Sequence, residues 1–183
     1  MYTNGREFEK EVLGCCSDSL EYWLLMLELC FLRLDPKWKL PNPKLIYREV
    51  LSNQPDHWDP KCPQNGVKKL FDMVKERLPK QESNNLRVFV SVNTKLDYLW
   101  GIDMWFETAG IIITVDFTIS HNKSCKADVL VPADIFHSED LYKKADEVVS
   151  LIKKKIKERK KFKKPKRWHE RSEELEGEEE ISA

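Results

Sequence analysis

At 183 residues the chain has the length of one domain with short appendages, and an apolar fraction of 41% with six Trp and eight Phe is enough for an aromatic-rich core. Its formal net charge is zero, yet the charges are segregated: residues 153–167 hold eleven basic side chains against Glu158 alone, and residues 170–180 hold seven glutamates against Arg171. The five cysteines (15, 16, 30, 62 and 125) are odd in number and form no CxxC pair, which argues against a disulfide framework and for a reducing, intracellular compartment, the cytoplasm or, in a eukaryote, the nucleus.

Residues 1–7 carry no basic segment followed by an apolar core, so no secretory signal is expected. From about residue 5 to 34, Phe8, Val12, Leu20, Trp23, Leu24, Leu27, Phe31 and Leu34 recur at helical spacing. Gly14 divides this stretch into two helices, with Ser17 or Asp18 as the second N-cap. The second helix is apolar on nearly all sides. It is short of the roughly 20 apolar residues that a bilayer span needs and carries Glu28, so no membrane partner is expected; it should be buried or form a homodimer interface through residues 20–34.

Prolines are dense from 35 to 64, leaving room for one short helix at about 45–51 within a loop. A helix over 65–78 follows, with Val67, Leu70, Phe71, Val74 and Leu78 on one face and Pro79 as its stop. Residues 87–93 alternate as a half-buried strand, and 100–107 and 111–119 read as two strands joined by a turn at Thr108-Ala109-Gly110. A further strand is expected at 127–131. Trp100 and Trp105 should belong to the core. Ser138 can cap a closing helix that starts near Glu139 and runs into the basic stretch until Pro165. The order is helices, then consecutive strands, then a helix: an α/β fold with an α-helical N-terminal portion. One domain would cover 1–150 (helical part 5–80, sheet core 86–132), followed by a basic helix extension at 151–168 and an acidic, disordered tail at 169–183.

Aspartate is depleted from strands, yet Asp103 and Asp116 fall in the two strands on either side of the turn. If the strands pair as a tight hairpin, position 103 lies opposite 115 or 116, and a one-residue slip would send the two carboxylates to opposite faces. Sharing a face, they repel. A hard divalent cation, Mg²⁺ or Mn²⁺, relieves that repulsion through oxygen ligands, and set against a phosphodiester it activates water and neutralises developing charge. The basic stretch fits a polyanionic partner, with Lys153, Lys154, Lys157, Lys160, Lys161, Lys163, Lys164, Lys166 and Arg167 as phosphate contacts and Phe162 and Trp168 interleaved. Other chemistry has little support. The spacings His57-x4-Cys62 and His121-x3-Cys125 are unlike structural zinc sites, and neither GxGxxG nor a P-loop occurs.

An acid on one strand followed by an acid-x-lysine on the next resembles the PD-(D/E)xK nuclease superfamily, here as Gly101-Ile102-Asp103 and Val115-Asp116-Phe117-Thr118. The segment Asn4-Gly5-Arg6-Glu7-Phe8-Glu9-Lys10-Glu11 is similar to the first helix of archaeal Holliday-junction resolvases, where a glutamate four positions after a glycine reaches the metal; Glu9 has that spacing and Glu7 is the alternative. The resemblance covers about 5–13 and 87–131. It implies a restriction-endonuclease-like mixed sheet flanked by helices, Asp103, Asp116 and Glu9 as metal ligands, and hydrolysis of phosphodiester bonds by an endonuclease acting on nucleic acid, DNA in the first instance. Thr118 stands at the family's lysine position. Lys126, Lys123 or Lys95 would have to supply the ammonium that positions water. If none does, the expectation becomes a non-catalytic nucleic-acid-binding or assembly protein on a decayed nuclease fold.

Overall fold

The computed structural model describes residues 5–14, 20–35, 37, 39, 43–52, 54–55, 58–119 and 126–162. Among these the chain runs α1 (Gly5–Leu13), α2 (Leu20–Arg33), α3 (Pro43–Ser52), α4 (Val67–Arg77), α5 (Lys80–Asn84), β1 (Arg87–Val90), α6 (Lys95–Trp100), β2 (Met104–Thr108), β3 (Ile111–Thr118), β4 (Val129–Pro132), α7 (Ala133–Phe136) and α8 (Leu141–Phe162). The strands form one sheet in the order β1-β2-β3-β4, antiparallel up to β3 and parallel between β3 and β4. The molecule is therefore a mixed α/β fold with a four-stranded mixed sheet flanked by helices.

Side-chain alternation along the strands divides the core into two layers. Val88, Met104, Phe106, Ile113, Val115 and Phe117 pack with Phe8 of α1, Leu70 and Val74 of α4, Phe136 of α7 and Val148 and Ile152 of α8. On the other face Phe89 and Trp105 pack with Ile46 and Val50 of α3 and Leu96 of α6. Phe89 stacks on Trp105 with ring centroids 5.3 Å apart, and Tyr47 meets the same indole edge-on at 5.1 Å. Aromatic pairs in these geometries add roughly 0.5–1.5 kcal/mol beyond area burial.

Helix ends follow local chemistry. Gly14 closes α1 at φ +76°, a conformation that glycine adopts without strain, and an added Cβ there would strike the Asn65 side chain. The proposed caps Ser17 and Asp18 lie outside the described residues. Leu78, held extended by the following Pro79, ends α4 as expected. The turn before α8 is capped by Ser138, whose Oγ accepts from the Asp140 amide at 3.1 Å, and the helix begins at Leu141. It then runs without a break to Phe162, so the closing helix and the basic extension are one element up to that residue. The acidic tail lies outside the described residues.

The proline-rich segment has a structural task. Gln54 bonds Val90 through both ends of its amide, at 2.8 and 2.9 Å, and Val88 donates to the Pro60 carbonyl at 2.9 Å while accepting from Trp58 Nε1 at 3.0 Å. These contacts occupy the outer edge of β1, which would otherwise offer unpaired backbone groups to another chain.

Three expectations need correction. First, residues 95–100 form α6 rather than leading into a strand, because Thr94 caps them (Oγ1 accepts from the Leu96 amide at 3.2 Å) and Gly101, left-handed at φ +59°, ends the helix. Trp100 is accordingly half-buried at a helix end, whereas Trp105 is core, only 1% exposed. Second, β4 spans Val129–Pro132 rather than 127–131, so Lys126 lies three residues before the strand. Third, of the two expectations for the 20–34 helix, burial or an interface, burial does not hold on every side: Leu29 is buried, but Leu24, Leu27 and Phe31, with Leu34 just beyond the helix, are 54–77% exposed.

Candidate active site

The β2–β3 register ends with Met104 paired to Val115, and Asp103 and Asp116 are the residues just beyond that pair on the two strands. The turn that fixes this register is two residues long. Ala109 and Gly110 both have positive φ, +51° and +71°, as the turn favoured for right-twisted hairpins requires. On the β1 side one bond carries the ladder a step further, to the Asp103 carbonyl, which accepts from the Ser91 amide at 2.8 Å. On the β3 side it does not. The Asp103 amide donates to the Val115 carbonyl at 3.0 Å, and the Phe117 amide donates to Asp103 Oδ2 at 2.6 Å. The carboxylate thus stands where a strand carbonyl would, one residue before β2 begins. Ser91 buttresses it by donating to the Ile102 carbonyl at 2.5 Å.

Both carboxylates are withdrawn from water: Asp103 is 3% exposed and Asp116 fully buried. Burial pushes the Asp103 carboxyl well above the usual range. The charges of Asp97, Asp116 and Glu9 push it the same way, and the Phe117 amide opposes them in part. Among the described residues, the charges acting on Asp103 are acidic and come from separate elements: Glu9 from α1, Asp97 from α6 and Asp116 from β3. Phe8 sets Glu9 in place. Its ring lies edge-on to Phe117 at 5.9 Å and to Phe136 at 5.6 Å, which pins α1 beside the end of β3.

Asp116 and Glu9 both act electrostatically on Asp103, and Glu9 rather than Glu7 is the α1 acid among the charges that raise its carboxyl. Sequence reasoning missed Asp97. The pattern Thr94-x-x-Asp97 is a helix-start signal, and Asp97 serves that role too by accepting from the Asn93 amide at 3.1 Å. Read as a helix start six residues before Asp103, it would have revealed a fourth acid nearby.

The candidate lysines fare differently. Lys126 donates to the Leu99 carbonyl at 3.1 Å and lies 5.7 Å over the Trp100 ring. Lys95 is the first residue of α6, half-buried. Thr118 is buried at the end of β3, paired with Pro132. Lys123 lies outside the described residues, as do His57, His121 and Cys125 of the imagined zinc pairs. Cys30 and Cys62 are free, exposed thiols.

Among the described residues no group of three or more His, Cys, Asp or Glu side chains is arranged to enclose a metal ion. Mg²⁺ does not require such a cage. It is commonly held through one or two carboxylates, with water and substrate oxygens completing its shell. The buried pair Asp103 and Asp116 suits that manner of binding, since a cation there would offset the repulsion and desolvation that now raise the Asp103 carboxyl.

The basic stretch is sorted by the packing of α8. Lys155 turns to the sheet, donating to the Ile112 carbonyl at 3.0 Å and pairing with Asp128 at 3.0 Å, and Arg159 donates to the Ala109 carbonyl at 2.8 Å. Lys153, Lys154, Lys157, Lys160 and Lys161 remain exposed, and four of them line a shallow groove of about 550 Å³ with Asp146 and Ser150. The contacts of Lys155 and Arg159 place this stretch at the turn end of the hairpin, while the acids sit at its open end. Lys163, Lys164, Lys166, Arg167 and Trp168 lie outside the described residues. No described helix is long and apolar enough to cross a membrane. No protein-family model, curated protein or solved structure matches this chain.

Proposed function

We propose that the protein is a metal-dependent endonuclease of restriction-endonuclease-like architecture that hydrolyses phosphodiester bonds in DNA. The observation that carries this is the pair of buried acids Asp103 and Asp116, just beyond the last pair of the β2–β3 ladder at the open end of the hairpin, with Glu9 and Asp97 in electrostatic range of Asp103. Clustered buried acids are unfavourable for folding and recur where chemistry requires them. Asp103 and Asp116 would hold Mg²⁺ or Mn²⁺, with Glu9 completing the site directly or through water. Such an ion supplies an activated water and charge neutralisation at the phosphate. The Phe117 amide holds Asp103 in place, and the exposed lysines of α8 bind the backbone of the substrate. A homodimer through α2 would cover Leu24, Leu27, Phe31 and Leu34 and suit an enzyme making paired cuts.

One observation favours a second reading, a nucleic-acid-binding protein that does not cut. Thr118 occupies the position where the family has its lysine, and Lys126 is engaged at the end of α6. Cleavage assays on single-stranded and duplex DNA, a four-way junction and RNA separate the two, run with Mg²⁺, Mn²⁺ or EDTA beside Asp103→Ala and Asp116→Ala. Metal-dependent cutting lost in both variants supports the enzyme. Binding without cutting by the folded wild type supports the second reading.

A further inference from the structure

Between the basic helix and the acids lies a cavity of about 590 Å³, within the range of small-molecule sites. Tyr47, Trp100, Ile102 and Ile112 give it apolar and aromatic walls, Lys126 brings an ammonium group, and the ammonium of Lys155 is paired with Asp128, which also lines the cavity. Its place relative to the acids follows from the strands. Ile112 and Thr114 line the cavity, and Asp116 is the next residue on the same face of β3, roughly 7 Å beyond Thr114 at the rise of a strand. Ile102, also in its wall, directly precedes Asp103. At the other end the cavity reaches Gly110 and Lys155, where the basic stretch of α8 begins. Trp100 has a further property: its indole Nε1 is buried and makes no hydrogen bond.

We propose that this cavity receives one nucleobase of a single-stranded or locally unpaired substrate, stacked on Trp100, while the adjoining phosphate lies at Asp103 and Asp116. The proposal rests on the endonuclease reading and narrows its substrate to strands whose bases can leave the stack. Every base presents a π-face to an aromatic side chain, so the site needs no sequence preference, and Lys126 at its rim suits a phosphate beside the base. A paired base cannot enter such a cavity without unstacking, which disfavours intact duplex.

The test compares two fluorescein-labelled 12-mers in EDTA, oligothymidylate and a fully abasic strand of the same charge, by anisotropy with wild type, Trp100→Ala and Trp100→Phe. Trp100→Ala should weaken binding of oligothymidylate roughly tenfold and leave the abasic strand unchanged, while Trp100→Phe stays near wild type. Photo-crosslinking of wild type with a 4-thiothymidine strand, which needs no variant to fold, should modify Trp100 or Tyr47. Equal effects of Trp100→Ala on both strands, or crosslinks confined to the lysines of α8, overturn the cavity while leaving intact an endonuclease still dependent on Asp103 and Asp116. Failure of wild type to bind either strand or to cut any substrate overturns both.

Discussion

The Phe117 amide donates to Asp103 Oδ2 at 2.6 Å, so a side-chain carboxylate takes the place of a strand carbonyl at the mouth of the β2–β3 hairpin. The bond explains how an aspartate can be 3% exposed there, and it also makes the residue part of the sheet. Replacing it has two separable consequences. Asp103→Asn keeps an oxygen for the Phe117 amide and removes the charge; Asp103→Ala leaves that buried amide unsatisfied, at about 1–3 kcal/mol.

The charge determines a pH dependence. Burial and the acids Asp97, Asp116 and Glu9 raise the Asp103 pKa in the folded chain, so the folded state keeps this proton to higher pH than the unfolded chain, whose value is near 3.8. The stability this proton contributes is fully present below the unfolded value and is lost as pH rises through the folded one. In EDTA, wild type and Asp103→Asn should therefore melt alike near pH 4, and the variant should melt several degrees higher at neutral pH. Thermal melts followed by circular dichroism across that range decide it; parallel profiles would show that Asp103 is not raised.

A cation that binds the folded chain alone stabilises it by mass action, about 2.7 kcal/mol at a concentration one hundred times its dissociation constant. Mg²⁺ or Mn²⁺ should raise the melting temperature of wild type, and Asp116→Asn should abolish the gain while folding normally in EDTA. Calorimetric scans with Ca²⁺-free buffers check this, and a gain that persists in Asp116→Asn would place the ion elsewhere.

The two sets of basic residues on α8 should respond differently. Lys153, Lys154, Lys157 and Lys161 are exposed, so replacing all four by Ala should weaken nucleic-acid binding and flatten its salt dependence by roughly 0.7–0.9 per lost phosphate contact, with little change in stability. Lys155 and Arg159 hold the sheet through Ile112, Asp128 and Ala109. Ala at either position should destabilise the fold, by about 1 kcal/mol, before it alters the salt slope. Titrations at several salt concentrations, paired with urea melts, resolve the two sets.

Much of this architecture is legible in the sequence, and the places where it is not have physical causes. The hairpin is written in Ala109-Gly110 between apolar runs, the α/β character in the order of helices and strands, and α4 in Val67, Leu70, Phe71 and Val74 with Pro79 as its stop. The stretch 95–100 is harder because Leu96, Leu99 and Trp100 fit a strand edge as well as a helix turn; the Thr94 cap and left-handed Gly101 decide for the helix. Asp103 and Asp116 are legible as a pair because acids in strands are unusual. The electrostatic contact of Asp97 is not, since it depends on α6 folding back beside β2. Nor can spacing reveal which lysines of α8 are taken by the sheet, because that depends on the rotation of the helix about its axis.

The turn itself carries the last prediction. Ala109 sits at φ +51°, where a residue with a Cβ is strained by about 1–2 kcal/mol, and its carbonyl is held by Arg159 at 2.8 Å. Ala109→Gly should relieve that strain, partly offset by the greater freedom of glycine in the unfolded chain, for a net stabilisation of about 0.5–1 kcal/mol. The neighbouring position responds in the opposite sense. Gly110 has φ +71°, and a Cβ there would lie 2.6 Å from Arg159 Nη1, so Gly110→Ala combines strain with a clash against the guanidinium. It should destabilise by 1 kcal/mol or more, roughly the penalty of a left-handed alanine. Removing the guanidinium separates the two causes: in an Arg159→Ala background the clash is gone and only the backbone strain remains, so the penalty of Gly110→Ala should shrink. Urea melts of the four proteins in that double-mutant cycle measure the difference, and strict additivity would show that Arg159 does not constrain the turn.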